Sequence, residues 1–330
     1  MTSASSKPSR NLALELVRVT ESAALMAARY MGRDDKIAAD QAAVDAMRYL
    51  LNSVEMEATV IIGEGEKDEA PMLFNGEVLG KGGTPKLDIA VDPIDGTRPL
   101  AHGRPNSIAT VAAAPAGTMY DPGPFVYMDK IAVGPGAKGS INIDMSVEEN
   151  LISISKALGK RMRDLTVILL DRPRHSELVA EIRRAGPRIR FIDDGDVAAA
   201  LMTAWPDSGI DVLLGVGGTP EGVIAACALR AMGGEIQGKL FARNEAEKQL
   251  GIEQGYNFER IITMDDLVSS DDVFFAATGI TDGELLDGVR YHSDGATTES
   301  IVVRGETGTV RWIKSRHSFD KLDEISDLPY

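Results

Sequence analysis

The sequence predicts an α/β protein with a mixed-sheet first half and a second half rich in βαβ units. In the first half, two amphipathic helical segments precede short β-branched runs that are separated by Gly- and Pro-rich connections. Between residues 165 and 232, apolar strands alternate with helical segments, as βαβ units require. The chain of 330 residues, of which 44% are hydrophobic, can also bury a substantial core.

The first half is predicted to begin with two helices and to continue with four short strands and a third helix. In chain order these elements cover residues 12–31, 36–54, 59–62, 87–91, 107–113, 130–133 and 147–158. Residues 1–10 contain Ser, Lys and Pro but no apolar run, so we expect a flexible tail there and no signal peptide.

The second half is predicted to alternate strand and helix three times before three further strands. These elements cover residues 165–170, 175–184, 189–192, 196–205, 211–214, 221–232, 273–277, 301–304 and 310–314. The change of rhythm predicts a boundary near residues 157–164. We therefore expect one unit over residues 11–160 and another over residues 161–330.

Composition excludes several classes of partner. The net charge of −15 argues against nucleic acids and anionic membranes, because these partners need concentrated Lys and Arg. No continuous apolar run reaches the length of a membrane span. The single cysteine, Cys227, lies in an apolar run and is predicted to be a core residue, which leaves no disulfide within the chain. We therefore expect a soluble, cytoplasmic protein.

The most informative segment is Asp92-Pro-Ile-Asp-Gly-Thr97, at the end of a predicted strand. Pro93 is predicted to end that strand, because proline cannot donate to a β-ladder. Asp92 and Asp95 can then converge on one hard cation, and Thr97 can reach a water bound to it. An ordinary Asp-Gly turn explains the same residues equally well.

Acidic residues also follow the preceding predicted strand, in Ile61-Ile-Gly-Glu-Gly-Glu-Lys-Asp-Glu69. On their own they are typical of a solvated loop. If the two strands are adjacent, Glu64 would join Asp92 and Asp95 in an all-oxygen cluster of the kind that Mg²⁺ or Mn²⁺ prefers. Such carboxylates would repel one another in the absence of a cation.

Charged residues lie at the starts of two predicted helices. Asp171-Arg-Pro-Arg-His175 follows an apolar strand, and Pro173 suits the first helical turn. Two guanidiniums beside free N–H groups favour a phosphate, although ordinary surface basic residues give the same pattern. His175 is predicted to cap or pack and not to act as a base. Lys36 and Asp40 lie one helical turn apart and are typical of a simple ion pair.

Two loop motifs stay open on the residues alone. Asp194-Gly-Asp196 follows a strand as a turn would, and its carboxylates could accept hydrogen bonds from sugar hydroxyls. The run GVGGTPEG is similar to a dinucleotide loop, but Pro220 replaces the third glycine. Glu221, in the first turn of the next helix, could either cap that helix or hold a cation.

Taken together, these motifs resemble the class II fructose-1,6-bisphosphatases, the bacterial GlpX-type enzymes of the lithium-sensitive phosphatase superfamily. The resemblance covers residues 11–317 and rests on an ordered series of strings: IGEGEKDEAPML, DIAVDPIDGTR, YMDKIAVGPGAKG, DRPRH, DGDVAAA, GVGGTPEGV and ATGIT. It implies a layered αβαβα sandwich of the sugar-phosphatase fold. It also implies hydrolysis of the 1-phosphate of fructose 1,6-bisphosphate to fructose 6-phosphate and phosphate, a step of gluconeogenesis.

The resemblance also implies roles for individual residues. The metal ligands would be Asp40, Glu64, Asp92, Asp95 and Glu221. The substrate contacts would be Asp95, Gly96, Thr97, Tyr127, Arg172, Pro173, Arg174, Asp194, Gly195, Asp196 and Gly218. The catalytic residues would be Thr97, Asp68 and Lys36, with Thr97 and Asp68 orienting the attacking water. Many class II members have Glu where this chain has Asp95. Because Asp is one methylene shorter than Glu, Asp95 would bind a metal either directly or through water.

The chemistry of phosphate esters favours two or more Mg²⁺ or Mn²⁺ ions in such a site. The expected partner is a small sugar bisphosphate, and family resemblance favours a homo-oligomer, either a dimer or a tetramer. Whether sedoheptulose 1,7-bisphosphate is also cleaved stays open.

Three alternatives remain. Another superfamily phosphatase would act on inositol phosphates or phospho-nucleotides, but this chain carries the class II strings and lacks the aromatic-acid motif of those enzymes. A non-catalytic sugar-phosphate sensor on the same fold could dispense with Thr97 and Asp68, which are both present. A dinucleotide oxidoreductase is disfavoured by Pro220 and Glu221.

Overall fold

The computed structural model describes residues 12–65, 72–328 and 330. The predicted tail over residues 1–10 lies outside the described residues, and so does Asp68. In chain order, the helices are α1 (Leu12–Ala27), α2 (Lys36–Leu51), α3 (Thr97–Ala101), α4 (Val147–Leu158), α5 (Ser176–Ala185), α6 (Asp196–Ala204), α7 (Thr219–Met232), α8 (Glu245–Glu253), α9 (Met264–Leu267) and α10 (Phe319–Asp323).

The strands form two mixed sheets. They are β1 (Glu57–Ile62), β2 (Val78–Leu79), β3 (Lys86–Asp95), β4 (Ile108–Pro115), β5 (Tyr127–Val133), β6 (Thr166–Leu170), β7 (Arg188–Ile192), β8 (Val212–Gly218), β9 (Glu235–Leu240), β10 (Phe274–Gly279), β11 (Arg290–His292), β12 (Gly295–Arg304) and β13 (Thr309–Ser318). The first sheet has the order β11-β12-β10-β4-β3-β1-β2, with β13 paired to β12, and the second has the order β7-β6-β8-β5-β9.

The apolar clusters show how these sheets are layered. The helices α1 and α2 pack on one face of the first sheet, through residues such as Leu16 and Met47 against Phe274. The helices α6 and α7 fill the space between the two sheets. The helices α4 and α5 cover the outer face of the second sheet. The layers therefore run helix, sheet, helix, sheet, helix, which confirms the expected αβαβα sandwich.

The second half contains the predicted parallel crossover. Strands β6 and β7 pair in parallel around α5, and β6 also pairs in parallel with β8. Strand β5 runs antiparallel to both β8 and β9, so this sheet is mixed. The C-terminal strands β10, β12 and β13 belong to the first sheet. The division of the chain near residue 160 into two units stays a prediction.

The prediction that Pro93 ends its strand is wrong. Strand β3 continues to Asp95, with a register shift against β4 between Asp92 and Asp95. Pro93 lies within this bulge, where a ladder donor is not required, and bulges tolerate proline for that reason. The neighbouring Ile94 N–H donates to Asp92 Oδ1 at 3.1 Å instead of to a facing strand. The bulge thus inserts one extra residue of β3 between Asp92, which pairs with Thr110, and Asp95, which pairs with Ile108.

The lone cysteine is part of the core, as predicted. Cys227 lies on α7 between the sheets and is fully buried. Burial in this apolar surrounding raises the pKa of its thiol to about 12. No helix in the described part of the chain combines the length and the apolar character that crossing a membrane requires.

Candidate active site

A cavity of about 580 Å³ opens where β3, β6 and β8 end and where β5, α3, α6 and α7 begin. It is lined by Asp92, Ile94, Asp95, Gly96, Thr97, Arg98, Val126, Tyr127, Leu170, Arg172, Arg174, Asp194, Gly195, Asp196, Gly217, Gly218, Pro220 and Glu221. Most of the residues singled out from the sequence therefore meet in one place. Asp40, Glu64, Lys36 and Pro173 are not among these lining residues, and the first three belong to the acidic side described next.

The acidic side of the cavity is built on two parallel neighbouring strands. Strands β1 and β3 pair in parallel, so their C-terminal ends lie side by side. Glu64, just beyond β1, and Asp92, near the end of β3, are therefore at the same end of the two strands, as their positions in the sequence predicted. Asp95 is buried, and its Oδ2 accepts a hydrogen bond from the Ala198 N–H of α6 at 3.2 Å. Asp95 thus connects the edge of the first sheet to the helix layer between the sheets.

Thr97 links this edge to α2. Its hydroxyl lies 3.3 Å from Asp40 Oδ1 and 3.2 Å from the Ile94 carbonyl oxygen, the two acceptors available to its single proton. Gly96 precedes it with φ +96°, a left-handed conformation that favours glycine. Lys36 begins α2, and its charge partly offsets the loss of water that raises the pKa of Asp40.

The carboxylates of the acidic side hold their protons more tightly than usual. Loss of surrounding water, together with the charges of Asp40 and Glu221, raises the pKa of Glu64 to about 7, although part of its surface stays exposed at the rim. Burial likewise raises the pKa of Glu221 to about 7. Burial and then the charge of Asp95 raise the pKa of Asp92, and burial with neighbouring acids raises that of Asp95. This shared direction is typical of carboxylates that are buried close to one another.

The donor chemistry of this side fits a hard divalent cation. Among the residues that the structure describes, Glu221 Oε2 is enclosed and has no hydrogen-bond partner. The Glu221 carboxylate folds back over Gly218, where a Cβ would lie 1.6 Å from Oε2. No three acidic, His or Cys side chains in the described ranges lie as close together as the ligands of a bound ion. Carboxylates at this spacing would have to close in on a cation in order to ligate it.

The basic side lies across the cavity, after β6. Pro173 begins a short 3₁₀ helix, Pro173–His175, as its position in the sequence predicted. Arg172 donates to the Asp193 carbonyl at 2.6 Å and to Asp194 Oδ1 at 2.9 Å. Arg174 donates to the Val216 carbonyl at 2.6 Å, and its guanidinium lies 5.7 Å from the centre of the Tyr127 ring. Both guanidiniums are therefore oriented by the protein before any anion binds.

His175 has a structural role, as predicted. Its Nδ1 donates to the Leu170 carbonyl at 2.7 Å, and its Nε2 accepts from the Val216 N–H at 2.9 Å. The side chain is buried, and both ring nitrogens are occupied. It therefore fixes the turn between β6 and α5 against β8 and does not face the cavity as a base.

Two helix starts complete the cavity. Gly195, with φ +82°, precedes α6, whose first residue is the buried Asp196. Gly218 precedes α7, which carries Glu221 in its first turn. Sequence reasoning missed Lys130 on β5, whose Nζ donates to Asp196 Oδ2 at 2.7 Å and to the Gly218 carbonyl at 2.8 Å. The available signal was a lysine inside the strand pattern YMDKIAV, where a buried apolar residue is the rule.

In this αβαβα sandwich, an acidic side that suits divalent cations faces two oriented guanidiniums. This arrangement is typical of proteins that act on phosphate esters. Within that class, the chain belongs to the family of bacterial fructose-1,6-bisphosphatases, glpX-encoded, whose family model matches residues 10–317. This family membership confirms the resemblance that the sequence motifs indicated.

Curated relatives agree with the family model. The chain is 45% identical over 327 residues to fructose-1,6-bisphosphatase 1 class 2 of Escherichia coli (strain K12), covering 95% of this chain and 97% of that protein. The class 2 fructose-1,6-bisphosphatases of Escherichia coli O6:H1 and Shigella flexneri match with the same identity and coverage.

Among solved structures, an extragenic suppressor from Pyrococcus furiosus is 15% identical and covers 58% of this chain and 68% of its own. The TM-score between the two structures is 0.30.

Proposed function

We propose that this chain hydrolyses the 1-phosphate of fructose 1,6-bisphosphate to give fructose 6-phosphate and phosphate, with Mg²⁺ or Mn²⁺ held at the acidic side of the cavity. The observation that supports this most directly is a single cavity with Asp92, Asp95 and Glu221 on one side and Arg172 and Arg174 on the other. A protein with a net charge of −15 can accept a sugar bisphosphate only where such local compensation exists.

The basic side would bind the phosphate that is not cleaved. Arg174 and Arg172 present N–H groups that their carbonyl partners hold in place, and charge-assisted bonds to phosphate are strong. Tyr127 stacks beside Arg174 and offers a hydroxyl to the same anion. Asp194 and Asp196, at the start of α6, would accept hydrogen bonds from the sugar hydroxyls. The substrate would thereby span the cavity with its other phosphate against the acidic side.

The acidic side would hold the metal ions through Asp40, Glu64, Asp92, Asp95 and Glu221. Bound divalent ions supply charge neutralisation and a more acidic water, which phosphate ester hydrolysis needs. Thr97 would orient the attacking water, because its hydroxyl already points into the group of carboxylates through Asp40. Lys36 would keep Asp40 ionised by its nearby charge. Asp68 is proposed as the second residue that orients the water.

Phosphate release from a panel of substrates tests this function. The panel contains fructose 1,6-bisphosphate, sedoheptulose 1,7-bisphosphate, inositol 1-phosphate and a nucleoside 3′,5′-bisphosphate, each with Mg²⁺, Mn²⁺ or a chelator. We expect turnover of fructose 1,6-bisphosphate that disappears in chelator. Faster release from the inositol or nucleotide substrate would favour another phosphatase of the superfamily, and tight binding without release would favour a sensor.

Three further properties belong to the same proposal. Family resemblance supports a homo-oligomer, either a dimer or a tetramer, which light scattering on a gel-filtration column would measure. The single cysteine suits a reducing compartment such as the cytoplasm. The product would serve gluconeogenesis, and a growth test on a gluconeogenic carbon source would check that role.

A further inference from the structure

We infer that Lys130 is a positioning residue that fixes the starts of α6 and α7, and with them the side chains of Asp196 and Glu221. The inference rests on the proposed function, because it concerns how that site is held in shape. Lys130 lies in the middle of β5, the strand between β8 and β9. Only 3% of its side chain is exposed, so it is an internal cation in an acidic protein.

The position of Lys130 is unusual for a lysine. It shares a strand face with Met128 and Ala132, which pack in the apolar layer around α6 and α7. An ammonium in such a place is costly unless it is paired and hydrogen-bonded. Lys130 meets that condition with two bonds, one to Asp196 Oδ2 at 2.7 Å and one to the Gly218 carbonyl at 2.8 Å.

These two partners belong to different helices. Asp196 is the first residue of α6, and Gly218 immediately precedes α7. One ammonium therefore ties together two helix starts that both face the cavity. The Glu221 carboxylate lies against the same Gly218, where a Cβ would be 1.6 Å from Glu221 Oε2, so Lys130 holds the backbone over which that carboxylate folds.

The neighbouring glycine shows how closely this arrangement is packed. A Cβ on Gly217 would lie 1.9 Å from Asp196 Oδ2, 2.9 Å from Lys130 Cε and 3.0 Å from Lys130 Nζ. The ion pair thus occupies the space directly above the Gly217 backbone. Gly217 of GVGGTPEG therefore leaves room for this ion pair, whereas a dinucleotide loop would use its glycines to approach a pyrophosphate.

The role through Asp196 is tested by the affinity for fructose 6-phosphate, which the enzyme does not hydrolyse, measured by calorimetry in chelator. Lys130→Met should weaken this affinity by about tenfold or more, because Asp196 loses a charged hydrogen-bond partner and its orientation. In an Asp196→Asn background, the same change should weaken it by less than about threefold, since coupled residues are not additive. Gly217→Ala should act like Lys130→Met, because it displaces the pair.

Lys160→Met is the matched control. Lys160 pairs with Asp211, which is also buried and lies just before β8, at the end opposite to Gly218. Both single variants should melt at a lower temperature than the wild type, because each leaves a buried carboxylate without its ammonium partner. Only Lys130→Met should lose sugar-phosphate affinity.

Three outcomes would overturn the inference. The first is a folded Lys130→Met protein that binds fructose 6-phosphate within about twofold of the wild type, and the second is a tenfold loss that persists in the Asp196→Asn background. The third applies if Lys130→Met does not fold. The double variant Lys130→Met/Asp196→Asn is then compared with Asp196→Asn alone, and a clearly lower affinity of the double variant for fructose 6-phosphate would overturn the inference. A wild type that binds no fructose phosphate would instead overturn the proposed function, and the inference with it.

Discussion

The two sides of the cavity are completed in different ways. On the basic side, the protein itself supplies the partners: Arg174 donates to the Val216 carbonyl, and Arg172 donates to Asp194. On the acidic side, Glu221 Oε2 has no hydrogen-bond partner within the described residues, and burial raises the pKa of Glu64 to about 7. The basic side is therefore organised before it binds an anion, whereas the acidic side needs a cation to become satisfied.

This difference predicts different consequences of substitution. Removing a guanidinium takes away binding energy that is present in both the ground state and the transition state. Removing a carboxylate relieves repulsion in the free protein but also removes a ligand, so stability and activity should change in opposite directions.

The largest effect is expected at Thr97, where the acidic side meets the attacking water. Thr97→Ala should lower kcat by about two to four orders of magnitude with little change in KM, because its contact with the water develops mainly in the transition state. Steady-state kinetics with fructose 1,6-bisphosphate measures both parameters. Thr97→Ser is the control, because it keeps the hydroxyl and should retain most of the activity. A Thr97→Ala protein with near wild-type kcat would remove Thr97 from the catalytic residues.

The next effect concerns the basic side. Arg174→Met should raise KM for fructose 1,6-bisphosphate by about tenfold or more and lower kcat less, because it removes a charge-assisted contact made throughout the reaction. The exposed Arg183 of α5 provides a matched control, since Arg183→Met removes the same charge from the same region. An unchanged KM in Arg174→Met would place the distal phosphate elsewhere in the cavity.

The same contrast explains which parts of the molecule sequence reasoning could reach. The parallel crossover of β6 and β7 and the position of Glu64 and Asp92 on neighbouring strands followed from periodicity and strand order, whereas the layer order came from the family resemblance. The first two features depend on local patterns along the chain. Strand β9 was not predicted, because Gly238 interrupts its strand pattern; in the structure, a Cβ at this glycine would lie 2.3 Å from Met128 Cε and 3.1 Å from the Asp129 carbonyl oxygen.

Two site features depended on tertiary contacts that no local pattern shows. The bulge that carries β3 past Pro93 exists because the partner strand β4 continues to pair with Asp95 beyond it. The burial of the Lys130 ammonium is explained by its bonds to Asp196 and Gly218. These partners lie 66 and 88 positions away along the sequence. A buried cation in a strand is thus a sequence signal that a carboxylate lies nearby, but the carboxylate itself cannot be identified without the fold.

A smaller effect is expected from the metal ligands on stability. At a free Mn²⁺ concentration 100 times Kd, the wild type should gain about 2.7 kcal/mol, because the unfolded chain lacks the assembled site. Glu221→Gln should melt at or above the wild type in chelator, yet gain less from Mn²⁺ and lose activity. Thermal melts with and without Mn²⁺ measure this. Glu148→Gln is the control, since Glu148 also lies in a first helical turn but is exposed. Equal Mn²⁺ shifts in Glu221→Gln and the wild type would make Glu221 a helix cap only.

The last effect is the pH dependence of the metal-free protein. Glu64 and Glu221 have pKa values of about 7, against an ordinary value of 4.5. Because these values are raised, the folded state keeps protons that the unfolded state releases between pH 4.5 and 7, so these groups make stability fall as the pH rises through that interval. Chemical denaturation in chelator should show a slope that is shallower in Glu221→Gln by up to about 1.4 kcal/mol per pH unit. Saturating Mn²⁺ should reverse the trend in the wild type, because protons and the cation compete for the same oxygens. Identical slopes in the two metal-free proteins would mean that the Glu221 carboxylate ionises as freely as a solvated one. The acidic side would then not need a cation in order to be satisfied, and the contrast with the basic side would fail.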